Sequence, residues 1–203
     1  MKFIYDDGGR SKYFKASGVG DCAVRAIAIA TGIDYKEVYN DLKKLNGGKS
    51  CRNGTPKKVD KKYLTQLGWI WTPCMEIGSG CQTHLSSSEL PSGTLIVAVS
   101  KHLTCVKDGV IYDTYDCSRG GDRCVYGYWR KPTQSEIKER KIMERAKDLE
   151  KQFKEKAKQE MKKVKDNYNK KIKDLEKQRD KKLKEITKKY ASQLEQALLN
   201  MSN

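Results

Sequence analysis

Residues 133–203 contain neither glycine nor proline, and Lys and Glu dominate them. With no helix breaker over that length, the segment can only be a continuous helix or unfolded. Its apolar residues decide for the helix, because they step by eleven. Ile142, Phe153, Val164, Leu175, Ile186 and Ala197 form one row; Ala146, Ala157, Tyr168, Arg179, Tyr190 and Met201 a second; Met161, Ile172, Leu183 and Leu194 a third. Eleven residues span three turns at about 3.67 residues per turn, which predicts a nearly straight or slightly right-handed supercoil rather than a heptad zipper. Thr133 and Glu136 form a capping box at its start. A lone helix of this kind leaves its stripe in water. A homo-oligomeric coiled coil over residues 135–201 is the simplest cover, with a host or virion protein as the other. The chain therefore divides into a globular part, 1–131, and a long helix, 132–203.

Every Gly, Cys, His and Trp lies in the first part, which is long enough for one hydrophobic core. The formal charge is +16. Acidic residues are interspersed along the tail, so its basicity reads as a solvated helix face, and nucleic acid is only weakly supported as a partner. The N-terminus lacks an apolar signal-like region and no run of 18 apolar residues occurs, so a membrane span is not expected. Seven cysteines, an odd number, then read as reduced, partly buried thiols in a cytoplasm, which is a host cytoplasm if a phage encodes the chain. Cys74-x6-Cys81 and Cys117-x6-Cys124 lack the short spacing of a zinc knuckle, and Cys81-x2-His84 has no evident second pair. No metal or cofactor is expected.

In the globular part, the apolar run Cys22–Thr31 reads as a buried helix stopped by Gly32. Asp34 and Glu37 start a second helix over 35–45. Pro56 opens a third that ends at Gly68. Beyond Trp69 the pattern turns to strands: 94–100, 102–107 and 110–115, with a last one over 125–130. Asp108-Gly109 between two apolar runs predicts a two-residue hairpin. Helices first and an antiparallel sheet later describe an α+β domain.

Within Gly20-Asp21-Cys22-Ala23-Val24-Arg25, a thiol sits where a loop of small residues becomes a helix, and the positive end of the helix dipole favours its thiolate. Of the two histidines, His102 lies in a strand. With Lys107 opposite Val110, Thr104 faces Asp113, and His102 and Asp113 become diagonal neighbours on one sheet face. Asp116 falls on the other side. The candidate triad is thus Cys22, His102 and Asp113: nucleophile, general base and orienting carboxylate. His84, in a polar loop without a carboxylate at strand spacing, is the rival base. Arg25 fits a buried ion pair with Asp21 or an acidic substrate.

The Gly20-Asp21-Cys22 start with Arg25-Ala26 resembles the nucleophile segment of papain-like cysteine peptidases, most of all the Asp-Gly-Asn-Cys-Leu-Phe-Arg-Ala segment of ovarian-tumour-type deubiquitinases. The segment 101–113 is similar to their histidine hairpin. The globular part also looks like small phage and bacterial proteins with a Gly-Asp-Cys-x-x-Arg-Ala start. The resemblance implies a papain-like cysteine protease fold and a peptidase or isopeptidase acting on a peptide or protein. It departs from the pattern before the nucleophile. Where those families carry an acidic residue or Gln, this chain has Ala16, Ser17 and Val19, so backbone N–H groups, Cys22's included, would have to hold an oxyanion. The alternative is a papain-like interaction or structural protein, in phage assembly or host interaction, that has lost catalysis.

Overall fold

The computed structural model describes residues 1–15, 20–76 and 78–201. The chain forms two compact units, Met1–Ile137 and Lys138–Asn203. The first unit is α+β. Strand β1 (Lys2–Tyr5) precedes helices α1 (Cys22–Thr31), α2 (Tyr35–Leu45) and α3 (Lys57–Gln66). Strands β2 (Ile70–Pro73), β3 (Thr94–Val99), β4 (His102–Lys107), β5 (Val110–Asp113) and β6 (Val125–Arg130) follow. One six-stranded sheet has the order β1-β5-β4-β3-β6-β2.

The expected antiparallel sheet is corrected to a mixed one, because β1 runs parallel to β5, pairing Phe3 with Ile111 and Tyr5 with Asp113. A strand also precedes the helices. β1 is a four-residue edge strand, largely exposed, so it carries no alternation from which burial or direction is legible.

The helices start and stop where their residues dictate. α1 is apolar nearly all round, so it is buried on both sides: Val24 and Ile27 are fully enclosed, each worth about 1.5–3 kcal/mol of burial. Gly32 ends it in the left-handed conformation, φ 75°. The Asp34 side chain accepts the Lys36 amide at 2.8 Å and caps α2. α1 and α2 pack with Tyr35, Leu42, Leu64 and Trp69 against Ile96 and Trp129 on one sheet face. A second core on the other face joins Leu85 and Leu90 to Leu95, Val97, Val106 and Ile111.

The β4–β5 turn has positive φ at both Asp108 (46°) and Gly109 (75°), the twist that suits a two-residue hairpin. Lys107 pairs with Val110 and Cys105 with Tyr112. α4 (Gln134–Met201) is one continuous helix, about 100 Å long at 1.5 Å per residue; its first residues belong to the first unit and the rest to the second. The Glu136 carboxylate accepts the Thr133 amide at 2.7 Å and the Thr133 hydroxyl accepts the Glu136 amide at 3.3 Å, completing the capping box.

The expectation of seven reduced thiols is corrected at one place: Cys81 and Cys124 form a disulfide, with Cα atoms 5.6 Å apart across a sequence separation of 43. The cause is a local bridge between the 83–85 segment and the start of β6, in which the Leu85 amide donates to Arg123 O and the Val125 amide to Thr83 O. The remaining five cysteines are free.

Candidate active site

Cys22 is the first residue of α1. Asp21, just before it, does not cap the helix with its side chain. Its buried carboxylate instead accepts Arg10 Nε and the Tyr35 hydroxyl, both at 2.6 Å, and lies 3.1 Å from Arg25 Nε. The N–H groups at the start of α1 are thereby left without a side-chain cap, and Cys22 and Ala23 both face a cleft.

His102 opens β4, directly after Lys101, which holds a left-handed φ of 55°. Its Nε2 meets Asp113 Oδ2 at 2.7 Å. That bond leaves Nδ1 as the nitrogen available to a thiol, and Cys22 lines the same cleft as the ring, near enough that the imidazole lowers the thiol's pKa. Asp113 is 3 % exposed. Its other oxygen accepts the Thr114 amide at 2.7 Å and stands 3.8 Å from Arg25 Nη1. Arg25 also donates to the Thr114 hydroxyl. One turn of α1 thus links the loop before the nucleophile to the carboxylate behind the histidine. Arg25 sits in a buried ion pair with Asp21, the first of the two roles its position suggests.

Electrostatics favour a charged pair. For Cys22, burial raises the thiol pKa, but hydrogen bonds from His102 and the Leu103 backbone and the charges of His102 and Arg25 outweigh it, so the net shift is downward. Burial likewise opposes charge on His102, yet hydrogen bonds to Asp113, Cys117 and Cys22 and the Asp113 charge push it up to about 12. Asp113 is raised by burial and lowered further by its hydrogen bond and charge interaction with His102; the net shift is downward. The Cys22 and His102 shifts both act toward a thiolate beside an imidazolium.

The structure brings Cys22, His102 and Asp113 together. It sets the other candidates apart. Asp116 accepts the Ser118 amide at 2.9 Å. His84 has a carboxylate after all, Glu89, both of whose oxygens lie 3.2 Å from Nδ1, but it does not line the cleft. The sequence positions Ala16, Ser17 and Val19 lie outside the described residues.

Three features escaped the sequence. Cys117, 1 % exposed, is a second thiol on His102; it reaches the ring through an irregular loop that carries no periodic signal. It does not line the cleft, whereas Cys22 does. Two side-chain clusters have metal-ligand atoms within 4.8 Å of one another: His102 with Asp113 and Cys117, and Cys81 with His84 and Cys124. In both, two of those atoms already bond to each other, His102 to Asp113 and Cys81 to Cys124. Finally, the cleft of about 500 Å³ is walled by the loop at Asn53 and Gly54, by Asp60 of α3 and by Trp71, Tyr126 and Trp129 of the sheet. A Cβ at Gly20 would stand 3.3 Å from the Asn53 backbone carbon, so glycine there lets the two loops meet beside the thiol.

No family model, curated protein or solved structure matches the chain.

Proposed function

We propose that the protein is a papain-like cysteine hydrolase, a peptidase or isopeptidase, with Cys22 as nucleophile, His102 as general base and acid, and Asp113 as the orienting carboxylate. The observation that carries this reading is the single imidazole held at 2.7 Å by a buried carboxylate and sharing an open cleft with a thiol whose pKa it lowers. In the forward step Cys22 Sγ attacks the substrate carbonyl and the carbonyl π pair moves onto oxygen. The uncapped N–H groups of Cys22 and Ala23 are the donors available to that oxyanion. As the intermediate collapses, the carbon–nitrogen bond breaks and His102 gives its proton to the leaving amine. Water, deprotonated by His102, then attacks the thioester and releases the acid and the thiol.

This chemistry needs Cys22 as a free thiol, which it is, alongside the paired Cys81 and Cys124. Among the described residues no helix is long and apolar enough to cross a membrane. The tail multimerises the hydrolase through residues 135–201 or docks it on a host or virion protein.

The test is a thiol-directed activity probe carrying a peptide. The wild-type chain should label at Cys22 alone, and Cys22→Ala should stay folded and unlabelled. Equal labelling of the folded variant would sink the proposal.

A further inference from the structure

The cleft beside Cys22 carries two chemistries. Its apolar wall is aromatic: the rings of Trp71 and Trp129 pack at a centroid distance of 5.3 Å, and Tyr126 stands alongside, 37 % exposed. Against it is one carboxyl group, Asp60, whose residue is only 6 % exposed. Among the described residues its carboxylate has one hydrogen-bond partner, the Thr55 hydroxyl, and no cationic partner within 4 Å. The other buried carboxylates of this unit are compensated, Asp21 by Arg10 and Arg25, and Asp113 by His102.

A buried carboxylate without a countercharge is costly, and the Thr55 hydroxyl and the N-terminal turn of α3 offset that cost only in part. Burial pushes Asp60 up to about 6, which still leaves most of it ionised at neutral pH. Indole faces beside a desolvated carboxylate suit an alkyl stem ending in a cation. Lys57, Lys61 and Lys101 also line the cleft, but all three are exposed to solvent. Lys57 Nζ lies over the Tyr126 ring at 5.7 Å from its centroid. Their field is screened by water, whereas that of Asp60 is not.

We propose that the cleft selects the Lys or Arg side chain of a peptide, stacked on the Trp71 and Trp129 wall with its charge at Asp60. This names the substrate class of the hydrolase proposed above and rests on that reading for the bond cleavage after binding.

The experiment uses the full chain carrying Cys22→Ala, which cannot turn over, and fluorescent peptides Ala-Ala-Xaa-Ala-Ala with Arg, norleucine or Glu at the centre. The Arg peptide should bind at least tenfold tighter than norleucine, with Glu weakest. Adding Asp60→Asn should erase the difference between Arg and norleucine without lowering the melting temperature, because an uncompensated charge has been removed. Should that variant fail to fold, Trp71→Ala, on a partly exposed side chain, should lower Arg affinity by a similar factor. Equal affinities for Arg and norleucine, preference for Glu, preference surviving Asp60→Asn, or no binding at all would each overturn the inference. Turnover of the same peptides by the wild-type chain is read separately. Arg preference without turnover leaves the cleft assignment standing and removes the hydrolase; turnover without Arg preference does the reverse.

Discussion

Each charge around Cys22 is set by a neighbour that is itself held by another. Arg10 and Arg25 flank Asp21, Arg25 reaches Asp113, and Asp113 holds His102. Two consequences are measurable. The first concerns pH. The Cys22 thiolate exists above a depressed thiol pKa, and its partner imidazolium persists up to about 12, so the ion pair spans the window between them. Iodoacetamide should alkylate Cys22 at a rate that reaches its plateau below the usual thiol titration and stays flat through mildly alkaline pH. Asp113→Asn lowers the imidazolium pKa and thereby raises that of the thiol. The acidic limb should move upward, and once it lies above neutrality the rate at pH 7 should fall roughly tenfold for each further pH unit it moves; an unmoved limb would remove Asp113 from the pair. The second concerns stability. Arg25→Met takes a cation from two buried carboxylates, and breaking a buried pair from one side costs about 3–5 kcal/mol. A chemical denaturation midpoint close to wild type would show that Arg10 and His102 suffice.

Elements show why some of this was legible and some was not. The β4–β5 hairpin was readable because Asp-Gly fixes both turn length and twist, and turn length fixes the face on which Asp113 falls. Cys22 at the start of α1 was readable because Gly20 and Gly32 bracket an apolar run with no competing period. The parallel β1–β5 pair and the Cys81–Cys124 disulfide were not, since both join segments whose approach depends on the whole sheet. Cys117 and Asp60 were hidden for the same reason: their meaning lies in what the fold brings beside them. The disulfide closes a long loop, and its loss through Cys124→Ser should cost about 3–4 kcal/mol by chain entropy, read as a lower denaturation midpoint that reducing agent reproduces in the wild type. Gly127 is a second element-level test. A Cβ there would run into the Trp71 ring and stand 2.6 Å from Thr72 O. Gly127→Ala must therefore displace β2 or the indole, costing about 1–3 kcal/mol and blunting the aromatic wall of the cleft.

At the scale of the molecule, α4 is a helix whose own residues cannot cover its stripe. Ile142, Phe153, Val164, Leu175 and Ile186 recur every eleven residues, and each is more than half exposed. Lateral support such as the Glu150–Lys154 pair at 2.6 Å is worth only about 0.3–0.5 kcal/mol. Burying one row of five such side chains against a second copy offers about 1.5–3 kcal/mol each when complete, enough to offset the entropy of association. The chain should therefore sediment as an oligomer. Phe153→Lys with Val164→Lys and Leu175→Lys should return it to a monomer of lower helix content. Arg179 sharpens the test. It stands in the row of Ala157, Tyr168 and Tyr190 and pairs with Asp180 at 2.8 Å on an exposed surface. In a self-associated stripe that guanidinium interrupts the apolar row, so Arg179→Leu should tighten association and raise the temperature of helix melting in a concentration-dependent way. If the row instead faces water throughout, the same change adds only one exposed apolar side chain, and neither sedimentation nor melting should respond to concentration.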